Sequence, residues 1–197
     1  MAHAHGRAGA AVLAFALLSG CAPSHAGGAH DGGRIDRTPL AVVPQPRSVR
    51  FEPGRYAWPF RVRIGTRTAA DRGIAGLLRT YLAENGVAAA DAGAAANPDV
   101  LVRAEDGYDA RLGDEGYVLH AGPRGVTLRA NTRRGLFYGL QTLEQITAGS
   151  RGRLVSRAVT ISDRPAYRWR GIHLDVARHF FPVETIERYI DVAARFK

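Results

Sequence analysis

The sequence predicts an α+β fold: an antiparallel sheet with two helices packed on one face, followed by the first β/α unit of a barrel that the chain leaves truncated. Three observations carry this. Alternating apolar runs of strand length recur between residues 56 and 161, and two longer stretches, from Ala69 and from Arg133, switch to helical spacing. Near the end, Ile172, Leu174 and Val176 alternate, then break at once into Asp175, Arg178 and His179 before Pro182 opens a helical pattern. A strand that delivers polar groups at its carboxyl end and turns into a helix is the repeating unit of a β/α barrel, and that end is where such barrels place chemistry.

The first 20 residues read as a delivery signal. Arg7 precedes a short apolar run, Ala8 to Leu18, too short to remain as a membrane span. Leu18-Ser19-Gly20-Cys21 resembles a bacterial lipobox, which makes Cys21 the lipidated first residue of the mature chain and places the protein in the cell envelope. Cleavage after Ser24-His25-Ala26 is the alternative, which discards Cys21 and leaves the protein secreted. Residues 21–37 form a Gly/His-rich linker without periodicity. Its scattered histidines read as incidental, and the sequence implies neither metal nor cofactor.

Residues 38–162 make the α+β domain. Pro39, Pro44 and Pro46 confine the entry to an edge or extended segment. From Tyr56 to Ile64 the pattern alternates, with Phe60, Val62 and Ile64 on one side and Arg61 and Arg63 on the other, as in a half-buried strand. Ile74, Leu77, Leu78, Tyr81 and Leu82 define a helix from Ala69 to Glu84, stopped by Asn85-Gly86. Ala88 to Pro98 reads as turn-rich, and Val100-Leu101-Val102 as a short strand. Residues 116–120 and 126–130 form a hairpin around Gly122-Pro123-Arg124-Gly125. A second helix runs from Arg133 to Ala148 with Leu136, Phe137, Leu140, Leu143 and Ile146 on one face, and Leu154 to Ile161 returns to strand. Asp163-Arg164-Pro165 opens the second part, residues 163–197.

The formal charge is +9, and all but Lys197 of the 27 cationic side chains are arginines. They are spread through every segment rather than gathered on one helix or beside aromatic residues, which argues against a nucleic-acid partner. A single cysteine excludes an internal disulfide.

Two stretches together resemble the family 20 glycoside hydrolases, the β-N-acetylhexosaminidases and chitobiases. One runs from Gly116-Tyr117-Val118-Leu119 through Val126-Thr127-Leu128-Arg129-Ala130 to Gly135-Leu136-Phe137-Tyr138-Gly139-Leu140; it is similar to the domain that precedes the catalytic (TIM) barrel. The other, Trp169-Arg170-Gly171 through Leu174-Asp175-Val176-Ala177-Arg178-His179-Phe180-Phe181-Pro182, is similar to the first barrel strand and its loop. Pro44-Gln45-Pro46 matches the usual opening of the first domain.

The resemblance implies an exo-acting enzyme that hydrolyses terminal N-acetylglucosamine or N-acetylgalactosamine with substrate assistance. It also implies that Arg178 binds ring hydroxyls; a guanidinium holds two vicinal oxygens at once. Read without the family, Arg178 is equally a partner of Asp175 at i and i+3 that ties down the loop. Asp175 reads as orienting Arg178 or the loop backbone, His179 as a supporting or structural residue, and Arg170 as structural.

No catalytic residue is expected in this chain, since the adjacent Asp-Glu pair the family needs is absent from the barrel segment. Asp114-Glu115 is the lone such pair and reads as a surface turn. The sequence therefore reads as the N-terminal part of a longer enzyme, inactive by itself. A non-catalytic carbohydrate-binding or envelope protein built on the first domain is the competing reading.

Overall fold

The computed structural model describes residues 35–93 and 97–197; the signal stretch, Cys21 and most of the linker lie outside them. The elements are β1 (Ser48–Ala57), β2 (Arg61–Gly65), α1 (Ala69–Glu84), β3 (Ala88–Asp91), β4 (Val100–Ala104), β5 (Tyr117–Gly122), β6 (Gly125–Ala130), α2 (Arg133–Ile146), β7 (Thr147–Ser150), β8 (Arg153–Asp163) and α3 (Val183–Arg195).

The strands form one sheet in the order β1-β8-β5-β6-β4-β2-β3, with β7 also paired to β8. The α+β class stands, but the sheet is mixed rather than antiparallel throughout. β1, β5 and β7 run antiparallel to β8, and β5 to β6, whereas β2 runs parallel to β3 and β4, and β4 parallel to β6. The reason is α1: a helix between β2 and β3 returns the chain to its starting end, which makes the pair parallel. Pro53 and Gly54 fall where the β1–β8 register shifts, the place a strand tolerates them.

Both helices lie on one face. Ile74, Ala75, Leu78 and Leu82 of α1 and Leu136, Leu140 and Leu143 of α2 meet Val62, Ile64, Leu119, Val126, Leu128 and Ile161 in a single core. Gly139 is small because α2 approaches the sheet closely there; an added Cβ would sit 2.2 Å from Leu128 Cδ1. The opposite face carries Arg50, Arg103, His120, Arg129 and Thr160 and is exposed or half-buried. Thr68 and Asp71 cap α1 reciprocally, each side chain accepting from the other's backbone N–H. Gly86, at φ +77°, ends it as the sequence indicates.

Three local readings change. Tyr56 to Ile64 is not one strand: Trp58 leaves β1 to bury its ring and donates to Ser156 Oγ at 2.8 Å, and Phe60 is exposed in the break. β3 and β7 occupy stretches read as turn or helix end. Residues 172–176 form no strand; residues 164–182 contain no strand or helix. A strand needs a neighbour for its backbone groups, and among the described residues none lies beside this one. Ile172 and Val176 are accordingly exposed.

Candidate functional site

The candidate site is the loop that follows Val176. Asp175 builds it. Its Oδ1 accepts the backbone N–H groups of Ala177 at 3.0 Å and Arg178 at 3.2 Å, an Asx arrangement that turns the chain out of the extended run. The turn sends the Arg178 side chain outward, 91% exposed, with Nε 3.5 Å from Asp175 Oδ2. An exposed pair of this kind is screened and weak, so it orients the guanidinium without consuming its outward donors. His179 stacks edge-on against Phe181, with 5.5 Å between ring centres, and points to no acceptor among the described residues. Pro182 then caps α3, its carbonyl accepting from Thr185 and Ile186.

The beginning of the segment is fixed differently. Arg170 donates from Nη1 to Glu115 Oε2 at 3.0 Å and to the carbonyl of Tyr167, and from Nη2 to Tyr138 Oη at 3.1 Å. Its guanidinium lies 5.5 Å from the centre of the Tyr138 ring. Burial disfavours its charge, but Glu115 and Tyr138 outweigh that and hold its pKa above the ordinary arginine value. The only adjacent Asp-Glu pair is thereby committed: Glu115 to Arg170, and Asp114 to Tyr108 Oη at 3.1 Å and, through its carbonyl, to Thr132 Oγ1 at the start of α2. A cleft of about 840 Å³ lies beside it, lined among others by Tyr108, Arg134, Tyr167 and Trp169.

Arg178, Asp175 and His179 thus share one exposed loop, whereas Arg170 and Glu115 sit where the two parts of the chain meet. The Arg170–Glu115–Tyr138 contact was not readable from sequence; its single trace there is Arg170 as a structural residue. Among the described residues no three His, Cys, Asp or Glu side chains converge as metal ligands, and no helix is long and apolar enough to cross a membrane.

Residues 40–164 match the profile of "Glycosyl hydrolase family 20, domain 2", and residues 167–197 that of "Glycosyl hydrolase family 20, catalytic domain". A beta-hexosaminidase of Porphyromonas gingivalis is 42% identical over 93 residues, which is 44% of this chain and 12% of that protein. A beta-N-acetylhexosaminidase of Cellulomonas fimi is 36% identical over 98 residues, 49% of this chain and 20% of that one. Among solved structures, the N-acetyl-beta-hexosaminidase of Streptomyces plicatus superposes with a TM-score of 0.65 at 32% identity, over 82% of this chain and 34% of that structure. The chain spans from about an eighth to a third of the length of these proteins. With profile matches on both parts, in the same order along one polypeptide, the chain belongs to glycosyl hydrolase family 20.

Proposed function

We propose that this chain is part of an exo-acting β-N-acetylhexosaminidase that removes terminal non-reducing N-acetylglucosamine or N-acetylgalactosamine residues with retention. The observation that carries the reading is the succession of the family's domain 2 and its catalytic-domain sequence, with the Arg178 guanidinium exposed beside Asp175 at the end of the latter's apolar run. The names of the relatives above support it.

In this reading Arg178 grips two neighbouring hydroxyls of the terminal sugar, and Asp175 holds the loop that presents it. The acetamido oxygen of the substrate attacks the anomeric carbon. One carboxylate steadies the acetamido group, and an adjacent glutamic acid protonates the leaving oxygen. Asp114-Glu115 does not supply that pair, being engaged by Tyr108 and Arg170. Residues 1–197 therefore bring the grip and not the acid.

The experiment is hydrolysis of p-nitrophenyl N-acetyl-β-glucosaminide and its galactosaminide counterpart. The chain as given is expected to show no turnover, and the chain extended to the length of its relatives to show it. In the extended protein Arg178→Lys is expected to raise KM roughly 10–100-fold, the loss of one charge-assisted hydrogen bond. An unchanged KM sinks the role of Arg178. We further place the protein at the cell envelope through Cys21; radiolabelled fatty acid is expected in the parent and not in Cys21→Ala.

A further inference from the structure

Lysine occurs once in this sequence, at 197. Its side chain is 6% exposed and lies against that of Asp163, at 9%. The ammonium donates to Tyr117 Oη at 2.9 Å and to Asp163 Oδ2 at 3.2 Å. Tyr117 donates to the same Oδ2 at 3.0 Å and shares a 2.5 Å hydrogen bond with Thr142 Oγ1, while Asp163 Oδ1 accepts the N–H of Arg47 at 3.2 Å. Tyr117 and Asp163 are register partners at adjoining ends of β5 and β8, and Thr142 comes from α2. Three rigid elements of domain 2 therefore build a socket, and the group that fills it arrives from just beyond α3.

A second tie lies at the same place. Arg170 Nε donates to the carbonyl of Lys197 at 3.2 Å, while its other nitrogens hold Glu115 and Tyr138. The two ends of the β/α unit, residues 170 and 197, are thus gathered at one point on domain 2.

A buried carboxylate without a partner is costly, and a buried pair is tolerated only when its remaining hydrogen bonds are made. That requirement makes the socket selective. A compact ammonium with three donors fits where Tyr117 and Asp163 converge; the wide fork of a guanidinium does not present its donors to that point. Burial holds the lysine pKa below its ordinary value, with Asp163 offsetting part of that shift.

We propose that the Asp163–Tyr117–Thr142 socket is the lock of the domain junction: by receiving Lys197 it sets where the first β/α unit, with its Arg178 loop, sits on domain 2. Lys197 is a positioning residue, and the inference rests on the family assignment alone.

The test is hydrogen exchange and thermal unfolding of the 197-residue chain as parent, Lys197→Met, Asp163→Asn and the double variant. Lys197→Met is expected to speed exchange of residues 183–195 about tenfold or more beyond any change in α1, and to lower Tm by about 6–12 °C. The double variant, which leaves no unpaired charge, is expected to regain most of that loss. Exchange in α3 within about twofold of the parent, or losses in the double variant equal to the sum of the singles, would overturn the lock. Should Lys197→Met fail to fold, rescue of Asp163→Asn by the second substitution supports it and additivity overturns it.

Discussion

Domain 2 and the segment after it obey the same sequence rules and reach opposite outcomes. In α2 an apolar stripe of Leu136, Leu140 and Leu143 is wholly buried. In α3 an equally regular stripe leaves Val183 and Ile190 exposed, and none of the helix's residues is buried. Ile172 and Val176 alternate as Leu119 and Ala121 do, yet only the latter lie in a strand. Periodicity states which face seeks a partner; it does not supply one. The contrast also separates two kinds of attachment. Domain 2 is held by area, and the segment by a few polar ties: Arg170 to Glu115, Lys197 to Asp163, and Gln145 Nε2 donating to the carbonyl of Arg195 at 3.0 Å.

The largest expected effect tests the contrast directly. Leu140→Ala should cost about 2–5 kcal/mol by urea denaturation, whereas Ile190→Ala should stay within about 0.5 kcal/mol. Equal losses would mean that α3 is covered in solution and would erase the distinction.

Next in size is the cap of α1. Asp71 is fully buried, and its carboxylate accepts the N–H groups of Arg67, Thr68 and Ala104 at 3.1, 2.8 and 2.8 Å. Asp71→Ala strands these donors and should cost about 2–3 kcal/mol. Thr68→Ala, which removes one accepted bond, should cost about half that.

The joint between α2 and α3 gives a smaller, pH-dependent effect. Burial pushes the Glu144 carboxyl from 4.5 up to about 7, against the pull of Arg195 and with help from Glu84. Between those values the folded chain keeps a proton that the unfolded chain has released. The stability from this group is therefore complete below 4.5 and is lost as pH rises through about 7. Glu144→Gln should flatten that dependence. Relative to the parent it should gain about 1–2 kcal/mol between about pH 4 and pH 8, the full shift being discounted for partial solvent contact. Parallel pH profiles of parent and variant would contradict this.

The smallest effect is at the candidate site. Arg178→Ala should leave Tm of the 197-residue chain unchanged, because the guanidinium reaches only Asp175. A clear loss would make it a structural residue.

What was legible in the sequence was whatever is encoded within a few residues. The stop at Asn85-Gly86, the turn at Pro123-Arg124 and the apolar faces of both buried helices belong to that class. The Asp175 turn is local too, since its bonds reach only two and three residues ahead. β3 escaped notice because Ala88, Ala89 and Ala90 show no alternation; its strand state comes from parallel pairing with β2. The split at Trp58 escaped for a related reason, since its indole is drawn away by Ser156, 98 residues later.

By itself, then, the sequence determined the α+β class, the helices, the hairpin and the loop that carries Arg178, because spacing and turn chemistry act over one or two turns of chain. Only the tertiary structure decided the parallel half of the sheet, the engagement of Glu115 by Arg170 and the burial of Lys197 against Asp163. Those depend on groups 26 to 55 residues apart, whose meeting is fixed by how helices return the chain across a sheet and by no local pattern.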